Sequence, residues 1–268
     1  RTASQSGGTS CHSSIRRGGW PGSIDLPLAE ASLLPKEYVK AIVEDDVYRM
    51  DGIKRDTNKM RLLLRSLARN ESTTVTNRTL KNDVKEIDDE DIDANTINEY
   101  LNIFERLFLI NNQKPFAASV RSSVRIKQAV KRHFVDPSIS AALLGVTSSS
   151  LLNDLETLGL LFEALCERDL QIYADAFGGS LYHYQDYKNR EIDAVVECPD
   201  GEWCAFEIKL GANQIDAAAE ELLRLKAEFE ADPRGRPPKV LCVLCGLSNA
   251  AYQRPDGVFV VPLTALRD

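Results

Sequence analysis

Asp193 lies in the run EIDAVVE, and Glu207-Ile208-Lys209 closes the run WCAFEIK, with the turn Pro199-Asp200-Gly201 between them. A hairpin of this kind sets an aspartate, a glutamate and a lysine side by side at one end of a sheet. With an acid from the preceding helix, for which Glu163 is the natural candidate, such groups hold a divalent cation and activate a water against a phosphodiester. Carboxylate oxygens from Asp193 and Glu207, with the backbone carbonyl of Ile208, suit magnesium or manganese. Lys209 shares a face with Glu207, where it orients the attacking water or supports the charge of a pentacovalent phosphate. The competing reading of the same residues is a structural ion-pair cluster at the rim of a sheet.

The elements that must position these groups are legible from periodicity. In EIDAVVE strict alternation puts Ile192, Ala194 and Val196 on one face and Glu191, Asp193, Val195 and Glu197 on the other. SLYHYQ, EIDAVVE and WCAFEIKL, joined by short turns, form an antiparallel meander. Residues 213–231 form an amphipathic helix, after which a right-handed crossover sets the buried strand KVLCVLCG parallel to WCAFEIKL. GVFVVPL adds a last strand. Before the meander, a long helix capped by Ser149 or Ser150 carries Leu151, Leu155, Leu158, Phe162 and Leu165 at helical spacing.

Upstream, helices are expected over 36–50, 58–69 and 77–84, and a helix capped by Asn95 carries Ile97, Leu101 and Phe104. Short strands near 108–112 and 131–135, joined by a basic stretch, would make a wing, and Asp136-Pro137 starts a small helix that ends at Gly145. Three helices and a two-stranded wing constitute a winged helix. The outer face of the 95–107 helix carries Glu99 and Glu105, which disfavour a major-groove fit. The first twenty residues, rich in Ser, Gly and Thr, are expected to be poorly ordered.

The net charge of −7 argues against a general nucleic-acid coat, but the charges are unevenly spread. Residues 83–93 carry seven acids and one lysine; residues 106–135 carry seven basic side chains and no acid. Arg121, Arg125, Lys127, Lys131 and Arg132 are the candidates to track a phosphate backbone. A solvated wing or a contact to an acidic partner is the alternative. Apolar content of 43% and charged content of 27% fit an ordinary globular protein. No apolar run reaches the ~18 residues of a membrane span, and no signal peptide opens the chain, so a cytoplasmic protein is expected. Cys242 and Cys245 have CxxC spacing but lie on a strand, where residues three apart point to opposite faces and cannot share a zinc.

At Glu163, Asp193 and Glu207-Ile208-Lys209 the chain resembles the PD-(D/E)xK restriction-endonuclease-like superfamily. More broadly, over residues ~15–245, it resembles the C-terminal part of bacterial and archaeal AAA+ ATPases carrying the domain of unknown function 4143. Gly18-Gly19-Trp20-Pro21, TINEYLNIFERLFLI, Asp136-Pro137, Gly159–Glu163, Arg190–Asp193 and Phe206–Lys209 carry that resemblance. It implies an α/β protein, α+β overall: a helical winged-helix domain followed by a restriction-endonuclease-like domain with a central mixed sheet. The expected bounds are 1–50 for a tail and the remnant of an AAA+ lid, 51–146 for the winged helix, and 147–268 for the nuclease-like domain. Arg16 or Arg17 would be a phosphate-sensing arginine of the parent. There is no G-x-x-x-x-G-K-[ST] string, so ATP belongs to an ATPase domain of the parent protein. The chain opens on Arg1 and its first methionine is Met50, so a fragment of that parent is expected. Two functions stand: magnesium- or manganese-dependent hydrolysis of DNA, or a non-catalytic nucleic-acid- or protein-binding module that regulates the ATPase. The partners implied are DNA, the ATPase domain and a second copy of the chain, with no membrane.

Overall fold

The computed structural model describes residues 11–88, 91–117, 129–186, 190–232, 235–248 and 250–266. The protein is α/β, and its described residues build one seven-stranded mixed sheet beside a helical region.

The helical region begins at α1 (Cys11–Arg17), within the stretch expected to be poorly ordered. Ile15 explains the difference, since it is fully buried in the core beneath the sheet and ties α1 down. After α2 (Leu28–Ala31), α3 (Leu34–Ala41) runs through a π turn at Ile42–Asp46 into α4 (Val47–Asp51). Next come α5 (Thr57–Arg69), α6 (Asn77–Asp88) and α7 (Ala94–Arg106). Met60, Leu63, Leu64 and Leu67 of α5 meet Ile97, Leu101 and Phe104 of α7 in one core, as the 3.6-residue spacing requires. The cap of α7 is Asp93 and not Asn95, because its carboxylate reaches the N–H groups of Asn95 and Thr96 at 2.8 and 3.1 Å.

The polar face of α7 is occupied by its own chain. Asn98 accepts from Asn77, Glu99 from Arg55, and Glu105 from Asn112. The wing is reduced to isolated antiparallel pairs, Ile110 with Phe134 and Gln113 with Lys131. Arg132 also pairs with Thr73, which draws the second wing segment onto the end of α5. The chain then leaves the wing: β1 (Lys114–Pro115) joins the large sheet.

Following α8 (Pro137–Leu144), the single long helix expected is divided in two, α9 (Ser148–Asn153) and α10 (Leu155–Ala176). Two separate caps cause the break. Thr147 accepts from the Ser150 N–H, and Asp154 accepts from the Thr157 N–H.

The strands are β2 (Ser180–Gln185), β3 (Glu191–Glu197), β4 (Trp203–Lys209), β5 (Val240–Cys245), β6 (Tyr252–Gln253) and β7 (Phe259–Pro262). Their order is β1-β2-β3-β4-β5-β7-β6. The meander β2-β3-β4 is antiparallel, and α11 (Ile215–Ala231) crosses over to set β5 parallel to β4. Helix α10 covers one face through Leu158, Phe162 and Leu165 on Ala194, Val196 and Ile208. Helix α11 covers the other through Ala219 and Leu222 with Val195, Trp203 and Val243. Cys242 and Cys245 fall in these two separate cores, which excludes a shared metal.

β1 comes from residues on the N-terminal side of the expected 146/147 boundary. Phe116, directly after it, is fully buried with its ring 4.7 Å from that of Trp203.

Candidate active site

β3 does not alternate strictly. Tyr182 pairs with Val195 and Tyr184 with Ile192, so His183 alone opposes both Asp193 and Ala194. This is a β-bulge, a device that re-aims side chains beside functional sites. It corrects the expected faces: Ile192 packs with Val195 under α11, away from Ala194 and Val196. The bulge sits at Asp193.

The pairing of β3 with β4 ends at Ala194 with Phe206. Beyond that point the Asp193 carboxylate takes over from the ladder, with Oδ2 accepting from the Ile208 N–H at 2.7 Å. The Lys209 ammonium donates to the same oxygen at 3.0 Å and approaches Glu207 Oε2 at 2.7 Å. Asp193, Glu207 and Lys209 are therefore together, as their spacing indicated. Ile208 joins through its amide N–H.

Glu163 arrives from α10 but is met by a different lysine. Lys131 Nζ bonds Glu163, Glu167 Oε1 at 2.7 Å and the Asp193 carbonyl at 3.2 Å. Only 7% exposed, Lys131 is not part of a surface that tracks phosphates, which corrects its assignment to the basic wing. Alternation along a wing segment that is itself buried turns it inward. Arg132 is half-buried and donates to Asn77. Arg121, Arg125 and Lys127 lie outside the described residues. Arg16 donates to Ser148 and Ser32, and Arg17 to the carbonyls of Ser23 and Leu26. Both arginines thus close their own chain and are not held out to a phosphate.

The cluster extends further than the sequence indicated. His133 lies between Glu71 Oε1 and Glu167 Oε2, at 3.3 Å from each. Glu71 in turn accepts from Ser140 and from the Phe134 N–H. Glu167 had a signal, since it stands four residues after Glu163 on one helix face. Glu71 and His133 had none, because their partners come from distant parts of the chain.

Burial sets the electrostatics. Glu207, 5% exposed, is pushed up to about 8 by desolvation and then by the neighbouring Asp193 charge. Desolvation also acts on Asp193, but Lys209, Lys131 and the Ile208 N–H outweigh it and hold its carboxyl below the ordinary value. Glu163 and Glu167 each rise to about 7, chiefly by burial, with Lys131 opposing. Two adjacent carboxylates, one ionised and one held protonated, are a frequent arrangement at catalytic sites.

The donor set can be tested against a divalent cation. Among the described residues no group of three or more His, Cys, Asp or Glu stands close enough to hold a metal. Glu163 is taken by Lys131 and does not complete a triad. Asp193 and Glu207, sharing Lys209, fit the one or two carboxylates that magnesium ordinarily takes from a protein. Cavities flank the cluster: one of about 270 Å³ touches Asp193, Glu163 and Lys131, and one of about 550 Å³ touches Glu163, Ile208 and Lys209. No helix among the described residues is long and apolar enough to cross a membrane.

No curated protein and no solved structure matches the chain. A family model described as Domain of unknown function (DUF4143) matches residues 158–266, the stretch from α10 to the last strand. Of the expected resemblance, the part that concerns the domain of unknown function 4143 is shown over that stretch. A separate model, Domain of unknown function (DUF8612), matches residues 9–150, more than half of the chain.

Proposed function

The chain belongs to the family described as Domain of unknown function (DUF8612), and from that premise we propose that its sheet carries a cation-dependent phosphodiesterase site acting on DNA. The observation that carries this reading is the bulge at Asp193, which brings its carboxylate onto Ile208 N–H and Lys209 Nζ beside Glu207. Asp193 and Glu207 would hold magnesium or manganese. When bound, the cation supplies Lewis acidity to the scissile phosphate and to the attacking water. Lys209 Nζ offers a donor toward that water and a positive charge toward the phosphate oxygens. Glu163 and Lys131 act together as a buried pair that fixes the wall of the site, with the Asp193 carbonyl as the third contact.

The parent protein, on this reading, is an AAA+ ATPase in which ATP is bound by another domain. The match to a domain found in AAA ATPase-associated proteins supports it. The test is nicking of plasmid DNA by the purified chain in magnesium or manganese. Asp193→Ala and Lys209→Ala should each lower the rate by at least about a hundredfold, the scale of losing a positioned electrostatic group. Wild-type protein that leaves both the plasmid and a single-stranded oligodeoxynucleotide intact in both metals ends the hydrolytic reading.

One observation favours a second reading. Lys131 and Lys209 already compensate the carboxylates, so the same cluster serves as a clamp in a non-catalytic binding module. DNA binding that weakens steeply with salt, without cleavage, is its signature.

A further inference from the structure

Gly159 is a glycine that the fold does not require. It stands in the second turn of α10, inside a helix of 22 residues, where glycine lowers stability relative to alanine. Every other described glycine has either a positive φ or a heavy atom within 4.0 Å of the place a Cβ would take. Gly159 has neither, and a Cβ added there would meet nothing within 4 Å. The fold has room for a side chain at this position and carries none. Such a gap is informative when it opens onto a site.

Leu155, Gly159 and Glu163 follow one another at intervals of four residues and so share one line of α10. Gly159 is the gap in that row, about 6 Å along the axis from each neighbour. All three line the cavity of about 550 Å³ that reaches Ile208 and Lys209, a volume within the range of ligand sites. Leu155 and Leu247 border it, 62% and 63% exposed. Asn213 and Gln214, whose Oε1 accepts from the Gly211 N–H at 3.0 Å, bring amide groups to its edge. Apolar sides, amides at the edge and a floor stripped to helix backbone suit a flat ring. We propose that this cavity seats the nucleobase next to the scissile phosphate, lying against the helix backbone at Gly159 with Leu155 and Leu247 for apolar contact. The inference rests on the phosphodiesterase reading and deepens it, since Lys209 stands in the same cavity to meet the phosphate. A base enters such a seat only out of its stack, as in a single strand.

The seat and the fold make opposite demands on this residue, which is what the experiment reads. Gly159→Ala should raise Tm by roughly 1–4 °C, because alanine is the better helix former and meets no neighbour. The same variant should weaken binding of a short, labelled single-stranded oligodeoxynucleotide about threefold, and Gly159→Leu at least about tenfold, as the added atoms hold the base off the helix. Fluorescence anisotropy in calcium measures this binding apart from cleavage. A lowered Tm for Gly159→Ala shows that the glycine serves the fold, and it overturns the inference. Equal affinity in wild type and Gly159→Leu, or no binding by the wild type, overturns it as well. If the leucine variant does not fold, the alanine variant decides, and unchanged affinity there is the overturning result. Cleavage with binding indifferent to residue 159 removes the base seat and leaves hydrolysis standing. Binding that depends on residue 159 without cleavage in magnesium or manganese keeps the seat and removes hydrolysis.

Discussion

Glu207 carries the sharpest consequence at the scale of a single residue. Its carboxyl, raised to about 8 by burial and by Asp193, is protonated at neutral pH, yet a metal ligand must be ionised. Manganese binding should therefore release a proton, and affinity should climb with pH until about 8. Titration calorimetry in buffers of different ionisation heat reads the proton directly, and Glu207→Gln should abolish both effects. Glu71 gives a parallel case in stability. Burial raises it from 4.5 to about 8, so the folded state binds a proton that the unfolded chain has released. Its contribution is complete below about 4.5 and is lost as pH rises toward 8. Glu71→Gln keeps the hydrogen bonds without the titration, so the fall in stability from pH 5 to 8.5 should shrink by roughly 2–4 kcal/mol. Denaturant melts of both proteins at the two pH values measure it.

Among the elements, the caps separate local effects from tertiary ones. Asp56 caps α5 alone, receiving the N–H groups of Asn58 and Lys59, so Asp56→Ala should cost about 1 kcal/mol. Asp136 caps α8 but also receives the Gly19 N–H at 2.8 Å and Arg168 at 2.7 Å. Asp136→Ala removes the cap and leaves the Gly19 amide and one N–H of the Arg168 guanidinium without Asp136, although Arg168 keeps Asp169, and about 3 kcal/mol is expected in the same melts. Gly18, beside it, has φ +69° and no room for a Cβ, which would lie 2.5 Å from Ser138 Oγ. The core helices and all the main strands were legible because their apolar positions repeat at 3.6 or 2. The division between α9 and α10 was hidden, since the apolar spacing runs through Asp154 and only the cap interrupts it. Likewise Asp193, Glu207 and Lys209 could be read from a hairpin, a local object. The partnership of Lys131 with Glu163 and Glu167 could not, because it depends on where a distant wing segment docks. The bulge was invisible for a related reason: EIDAVVE has the composition of a regular strand, and its partner strand imposes the extra residue.

For the molecule as a whole, the two family-matched stretches are not independent bodies. β1 and Phe116 come from the first and complete the sheet and the α11-side core of the second. A chain reduced to residues 148–268 should thus lose the ring over Trp203 and uncover apolar surface. Phe116→Ala in the full chain should cost 3–5 kcal/mol, the range for emptying a buried aromatic site. The truncated chain should bind the dye ANS while the full chain does not; a dye-silent truncation would show that the second stretch closes its own core. β1 also has a bearing on biosynthesis. The ribosome delivers Lys114 and Pro115 well before Tyr182 and His183, with which they pair. During that interval the early strand has an open edge and an uncovered phenylalanine, a combination that invites pairing between nascent chains. Translation speed across the intervening codons, and chaperone occupancy at that moment, thereby become determinants of how much protein reaches its final form.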